Sequence, residues 1–288
     1  MMLSQAVGLV MLLYLAVALL FLAAGLWAAA SLNRLARGLL GIGLAAHTVI
    51  LLGRWWDSYR LALGHTPLTH FSEKLRLLLL HAPMSNFYES LVFFAWCLPF
   101  LAVLTFRRYL KDYLGTVVPL VACLLLAYAS LGGVDSRIKP LMPALKSNWL
   151  LIHVVTCFLG YAAFTLGFGV ALLYLLQERR ARPSLPPQSQ LDRLLYQTTM
   201  LGFLLLTLGI LTGAVWAERA WGRYWSWDPK ETWSLITWLI YATLLHARLV
   251  KGWQGRRIAW LGVLGFVAVL FTYFGVSFLL PGLHSYLQ

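Results

Sequence analysis

Residues 216–238 read WAERAWGRYWSWDPKETWSLITW. Six of the chain's 13 tryptophans fall here: Trp216, Trp221, Trp225, Trp227, Trp233 and Trp238. The segment separates two apolar runs, so it reads as a loop at a membrane surface. Asp228-Pro229-Lys230-Glu231 reads as a helix start: Asp228 can cap, Pro229 suits the first turn, and Glu231 can reach back as its capping-box partner. Trp221 and Trp225 have the spacing of one helical face. Trp225 and Trp227 alternate and would point apart in extended chain. One or two tryptophans at a membrane edge are headgroup anchors. Six, with Gly222, Tyr224 and Asp228 among them, make an aromatic platform for a large, flat, amphipathic ligand.

Working outward, the chain has 288 residues, is 60% hydrophobic and 11% charged, and has a mean hydropathy of +0.75. Soluble domains are nearer half apolar and a quarter charged. The composition is that of an all-α integral membrane protein. The formal charge of +13 is scattered between apolar runs, which argues for topology-setting loops and against nucleic acid as a partner. Cys97, Cys123 and Cys157 lie inside apolar runs and form no CxxC pair, so they read as buried thiols. CxxCH is also absent, so the chain attaches no haem covalently to itself.

A span needs roughly 17–25 mostly apolar residues. About eight candidates appear: Val7–Ala30, Leu39–Gly53, Ser90–Phe106, Tyr113–Gly132, Trp149–Leu176, Thr198–Trp216, Thr232–Leu249 and Ile258–Leu280. No charged side chain precedes Arg34, so the first run reads as a retained helix rather than a signal peptide. The connections after spans one, three, five and seven hold 13 basic and three acidic residues, and the remainder holds 10 basic and seven acidic ones. The positive-inside rule then puts both termini outside, together with the tryptophan loop between spans six and seven. Arg182–Gln190 (RPSLPPQSQ) is a proline-rich linker on the inner side. The longer connections, Arg54–Glu89 and Gly133–Asn148, are outside, so function is expected to face outward. The whole of 1–288 reads as one polytopic domain, with 217–231 as its outward-facing tryptophan-rich segment.

WGRYWSWDPKETW, residues 221–233, resembles the WWD signature of the haem-handling proteins of cytochrome c biogenesis. Its wording is similar to that of the CcsA/ResC branch, the System II cytochrome c synthases. Pro83-Met84-Ser85-Asn86-Phe87-Tyr88-Glu89-Ser90 resembles a further family segment, and His284-Ser285-Tyr286 the family's C-terminal histidine. The resemblance implies an enzyme of the haem-lyase type. It would hold haem b non-covalently and present it for thioether attachment to an apocytochrome c CxxCH. It also implies a ResB-type membrane subunit as partner, and a separate thioredoxin-like thiol reductant. The expected location is the bacterial inner membrane with the site facing the periplasm, and a thylakoid membrane is the lesser alternative.

The histidines sort by position. His153, four residues past Trp149, and His284, after the last span, lie on the tryptophan-loop side. Imidazole is a standard axial ligand to haem iron. The resemblance assigns these two as external ligands, with Trp216, Trp221, Gly222, Tyr224, Trp225, Trp227, Asp228 and Trp233 around the porphyrin. His47 and His246 lie within spans, where ionisable groups are costly and point to function. The resemblance gives them a second haem, ligated in the membrane. At about 1.5 Å per residue, His47 is about 15 Å from Arg37 and His246 about 3 Å from Arg248. The two depths agree only if span boundaries move by several residues. His65, His70 and His81 read as solvated loop histidines, Glu89 as a residue that orients its segment, and Arg54-Trp55-Trp56-Asp57 as an interfacial anchor. Two other functions fit parts of the pattern: a haem exporter or chaperone without ligation activity, and a di-haem b-type electron carrier. A structural membrane subunit fits least.

Overall fold

Apolar runs without breakers propagate as helix, because in lipid every backbone N–H and C=O must be satisfied within the segment. The computed structural model describes residues 2–64, 70–84, 86–106, 112–138, 146–179 and 185–282. In chain order the helices are α1 (Met2–Leu26), α2 (Ala30–Gly64), α3 (Phe71–Leu80), α4 (Phe87–Phe106), α5 (Asp112–Leu131), α6 (Asn148–Arg179), α7 (Gln188–Trp221), α8 (Pro229–Leu249), α9 (Arg256–Leu270) and α10 (Val276–Leu279). A π-helical turn, Phe271–Gly275, joins the last two. No strand occurs among the described residues. This is an all-helical, multi-pass membrane protein. Among the described residues, six helices are long and apolar enough to cross a membrane: Ser4–Leu26 within α1, α2, α4, α6, α7 and Arg256–Leu279. The apolar part of α5, Gly115–Leu131, is shorter, and in α8 threonine, tryptophan, His246 and Arg248 dilute the apolar content.

Several boundaries differ from expectation. The sixth span, expected at Thr198–Trp216, lies within α7, which begins at Gln188, inside the stretch read as a proline-rich linker. The short second span, Leu39–Gly53, lies within a helix of 35 residues. It runs on because Arg34, Arg37 and Arg54 are good helix formers and the sequence has no proline before Pro67. Within the connection read as a plain loop, α3 forms with Phe71, Leu75 and Leu79 exposed along one stripe.

The chain forms two compact units, one of Met1–Val155 with Arg219–Trp221, the other of Thr156–Glu218 with Gly222–Gln288. In the first unit, α1 packs on α2 and α5, and α4 on α5 and α2. Its polar keystone is Arg54. The guanidinium Nε donates to Glu89 Oε1 at 2.9 Å, Nη2 donates to the Ser136 carbonyl at 2.8 Å, and the group lies 4.9 Å from the Tyr88 ring centroid. Both side chains are almost fully buried. Arg54 therefore ties α2 to α4 and to the 133–138 segment rather than anchoring at the interface. Glu89 does orient its segment, and the Asn86 side chain accepts its backbone N–H at 2.8 Å.

In the second unit, glycines admit aromatic rings. A Cβ at Gly202 of α7 would lie 2.6 Å from the Phe164 ring of α6, and one at Gly265 of α9 would lie 2.6 Å from Tyr241 of α8. Phe164 and Tyr241 stack on each other with centroids 3.6 Å apart and planes 5° off parallel. Four helices thus meet through two rings sandwiched between two glycines. Small residues at membrane helix contacts allow this closeness. Farther along the α6–α7 contact, a Cβ at Gly209 would meet Cys157 Sγ at 2.5 Å.

Two outcomes follow for the detergent-solubilised protein. Arg54→Ala or Glu89→Ala alone should lower stability by roughly 3–5 kcal/mol, while the paired apolar change Arg54→Met/Glu89→Leu should recover most of that loss. Equal melting temperatures for single and paired variants would rule out a buried ion pair as the cause. Gly202→Val should cost about 1–3 kcal/mol through overpacking, whereas Gly8→Ala, where an added Cβ meets nothing within 4 Å, should leave the melting temperature unchanged or raised.

Candidate functional site

The tryptophan segment is built from two helix ends. α7 continues through Trp221, so Trp216 and Trp221 belong to its last turns and the loop proper is Gly222–Asp228. Gly222 closes the helix in the left-handed conformation (φ 75°), its N–H donating to the Glu218 carbonyl at 2.7 Å. This break separates Trp221 from Trp225, so the two do not share a helical face. Trp227 is also left-handed, at φ 59°, a costly conformation for a bulky residue. The chain turns back there. Trp225 and Trp227, instead of pointing apart, meet edge to face at 5.7 Å with planes 89° apart.

The expected helix start is present in full. The Asp228 carboxylate accepts from Lys230 N–H at 2.9 Å, and Pro229 opens α8. Glu231 gathers three donors from the loop: the backbone N–H groups of Ser226 (2.7 Å) and Asp228 (3.2 Å), and the Ser226 hydroxyl (3.2 Å). One carboxylate therefore fixes the turn that carries Trp225 and Trp227.

The chain's last helix closes on the same spot. Lys230 Nζ donates to Ser277 Oγ at 3.1 Å. A Cβ at Gly282 would fall 2.5 Å from Asp228 Oδ2. The π turn brings Phe271 under Trp233, with centroids 4.1 Å apart, and Thr272 donates to the Trp233 carbonyl at 3.2 Å. π turns inside α-helices are frequent at functional sites.

The six tryptophans divide by environment, with Trp221 half-buried at the end of α7. Trp216 is buried, Trp233 packs on Phe271, and Trp238 donates its indole N–H to Thr207 at 2.8 Å while tilting onto Phe203. The open aromatic surface comes from Tyr224 and Trp227, 61% and 69% exposed, with half-buried Trp225 beside them. The clamped turn thus holds an exposed indole in a fixed place.

Three of the four candidate iron ligands lie on different helices: α2, α6 and α8. His153 is half-buried in the second turn of α6, one turn after Trp149, whose ring carries the Arg219 guanidinium at 5.6 Å. Arg219 is two residues before Trp221, so in the first unit the start of α6 adjoins the end of α7 that leads into the loop. His284 lies outside the described residues, as does His65. Gly282, packed against Asp228, precedes His284 by two residues. His47 is fully buried midway along α2. Its Nδ1 is 3.3 Å from the Tyr14 hydroxyl, and its Nε2 has no hydrogen-bond partner. An orphaned imidazole nitrogen in an apolar setting suits a metal ligand. His246 is exposed in the last turn of α8, two residues before Arg248, which makes a two-pronged ion pair with Asp192 at 2.6 and 3.0 Å. His81 is buried, with Nδ1 bonded to the Leu77 carbonyl at 2.8 Å, and His70 precedes the first turn of α3. Sequence reasoning missed the Glu231 clamp on Ser226 and the partnerless His47 nitrogen. The capping-box spacing signals the first, and nothing in the sequence signals the second.

Comparison with known proteins places this architecture. The sequence profile of the family described as "Cytochrome C assembly protein" matches residues 84–284. The chain is 45% identical over 259 residues to the "Cytochrome c biogenesis protein CcsA" of Chlamydomonas reinhardtii, covering 87% of this chain and 67% of that one. It is 38% identical over 293 residues to the protein of the same description from Synechococcus sp. (strain CC9605), covering 90% of each. In three dimensions it is similar to "Cytochrome c Heme Lyase CcmF", with TM-score 0.64 at 22% identity. That likeness takes in 94% of this chain but only 46% of the lyase, so this chain spans about half the lyase's length and the likeness is one of fold. By this family match and these identities, the chain belongs to the CcsA branch of the cytochrome c assembly protein family.

Proposed function

We propose that this chain is a cytochrome c synthase subunit of the haem-lyase type. It takes haem b from the membrane and holds it on the outer face for attachment to an apocytochrome c CxxCH. The observation that carries the proposal is the clamped turn 222–228, which keeps Trp227 and Tyr224 exposed while Glu231, Asp228 and Gly222 fix its backbone. Apolar rings held open on a fixed turn can be covered by a flat ligand, which returns the stability that their exposure costs.

In this reading the charge distribution places both termini and the WWD turn outside. His153 and His284 supply the external iron ligands, and His47 and His246 those of a second site in the membrane. The partnerless Nε2 of His47 supports that second site. A ResB-type subunit, an apocytochrome c and a thioredoxin-like reductant complete the system, in a bacterial inner or a thylakoid membrane.

Haem supplies two vinyl groups, and each takes up one cysteine S–H: a C=C and an S–H become a C–S and a C–H bond, with no net electron transfer. The protein's task is therefore positioning, which can supply several kcal/mol without an acid–base pair. The tryptophan turn holds the ring face, and the histidines fix its plane. The incoming CxxCH histidine then displaces one external ligand, and the product leaves.

The test is an optical spectrum of the full chain purified with its ResB-type partner. Reduced wild type should show low-spin b-type haem, and His153→Ala and His284→Ala should each perturb it. Both variants should lose cytochrome c formation and regain part of it with added imidazole. Haem unaffected by either change would overturn the assignment. Glu231→Ala should release the turn by removing hydrogen bonds to a charged acceptor worth roughly 1.5–3 kcal/mol. Haem content after purification should then fall about tenfold, with Glu231→Gln intermediate. Equal haem content in all three proteins would show that turn rigidity is irrelevant to binding.

A further inference from the structure

Tyr14 of α1 reaches the buried imidazole of His47 with its hydroxyl, 3.3 Å from Nδ1. The rings lie 5.9 Å apart with planes at 54°, so the contact runs through the phenol oxygen and not through stacking. Both residues are fully buried. The approach depends on Gly43, one helical turn before His47. A Cβ there would fall 2.9 Å from Tyr14 Cε1 and 3.3 Å from Cδ1. Gly43 is thus the seat of the Tyr14 ring, and His47 is what the seated ring touches. The Val92 backbone of α4 is a further polar neighbour of the imidazole, and no hydrogen bond of good geometry reaches Nε2.

A neutral imidazole carries one proton, on either Nδ1 or Nε2, and binds a metal only through the bare nitrogen. A phenol can donate or accept. If Tyr14 donates to Nδ1, the proton sits on Nε2 and blocks it. If Tyr14 accepts from Nδ1–H, Nε2 presents its lone pair. Ligating histidines almost always donate their second N–H to such a partner, which fixes the tautomer and the ring orientation.

We propose that Tyr14, seated by Gly43, is the positioning residue of His47. By accepting the Nδ1 proton it holds the imidazole in the tautomer whose Nε2 binds haem iron. The inference rests on the reading of His47 as a ligand.

The experiment uses the full chain with its ResB-type partner in a His153→Ala background, so that the membrane haem is observed alone. It compares Tyr14→Phe, Gly43→Ala, the double variant and His47→Ala by haem titration, electron paramagnetic resonance of the ferric state and redox titration. Tyr14→Phe should weaken haem binding about 10–100-fold, the range for loss of a ligand's outer partner. It should also raise the reduction potential and move the ferric g-values, as an imidazole without a hydrogen-bond acceptor is the poorer donor to ferric iron. Gly43→Ala should shift the same quantities in the same direction, and the double variant should add little to Tyr14→Phe, because both changes break one contact. A structural role alone would lower the melting temperature and leave potential and g-values in place. If His47→Ala loses the haem while Tyr14→Phe matches wild type in affinity, potential and g-values, the positioning role is overturned and the ligand stands. If His47→Ala also leaves the haem unchanged, ligand and positioning residue fall together.

Discussion

A ring pressed against a glycine is the contact on which the second unit depends. Lipid tails are as apolar as leucine, so helices in a bilayer gain little from hiding apolar surface and associate instead by close packing. Gly202, Phe164, Tyr241 and Gly265 supply that closeness across α7, α6, α8 and α9 in one line. Dispersion falls off within an ångström or so of optimal contact, and a β-carbon at either glycine closes the gap the ring needs. The helix that begins at Pro229 is held by this line, and the WWD turn is held by that helix. The position of the exposed indole therefore traces back to two absent side chains more than a turn deeper in the unit.

Polar groups set the finer placement. Glu231 is at once the capping-box residue of α8 and the acceptor for the turn that precedes it. A helix start and a binding turn share one carboxylate, so the turn cannot shift without uncapping the helix. At the opposite end of α8, Asp192 accepts both prongs of Arg248 and also the Gly255 N–H at 2.9 Å, joining the starts of α7 and α9 to the end of α8. In the first unit the Arg54–Glu89 pair does similar work.

Much of this was legible in the sequence, and the remainder failed for identifiable reasons. The family was readable from Trp221–Trp233, and most of each apolar run is helical. The Asp228 cap and the Glu231 reach-back followed from residue type and spacing, because capping is local chemistry. The length of α2 was not legible: a charge normally ends a span, and Arg54 stays helical and buried only because Glu89, 35 positions on, meets it. The edge-to-face meeting of Trp225 and Trp227 was hidden for a similar reason, since alternation holds for extended chain and Trp227 is not extended. The division of the tryptophans into packed and open depended on Phe271, Thr207 and Phe203, partners distant in sequence. The bare nitrogen of His47 was invisible because burial says nothing of which hydrogen bonds a neighbour leaves unmade.

The left-handed backbone at Trp227 sets stability against utility at a single residue. A bulky side chain at positive φ costs about 1–3 kcal/mol that glycine would not incur. Selection for a more heat-resistant chain, or an engineer seeking one, would find relief there first: glycine in that turn relaxes the backbone and leaves the Glu231 bonds in place. The relaxed protein would be sturdier and would lack the most exposed ring of that turn. Trp227 therefore marks where robustness and purpose cannot both be maximised, and thermal hardening of this protein has to be sought elsewhere.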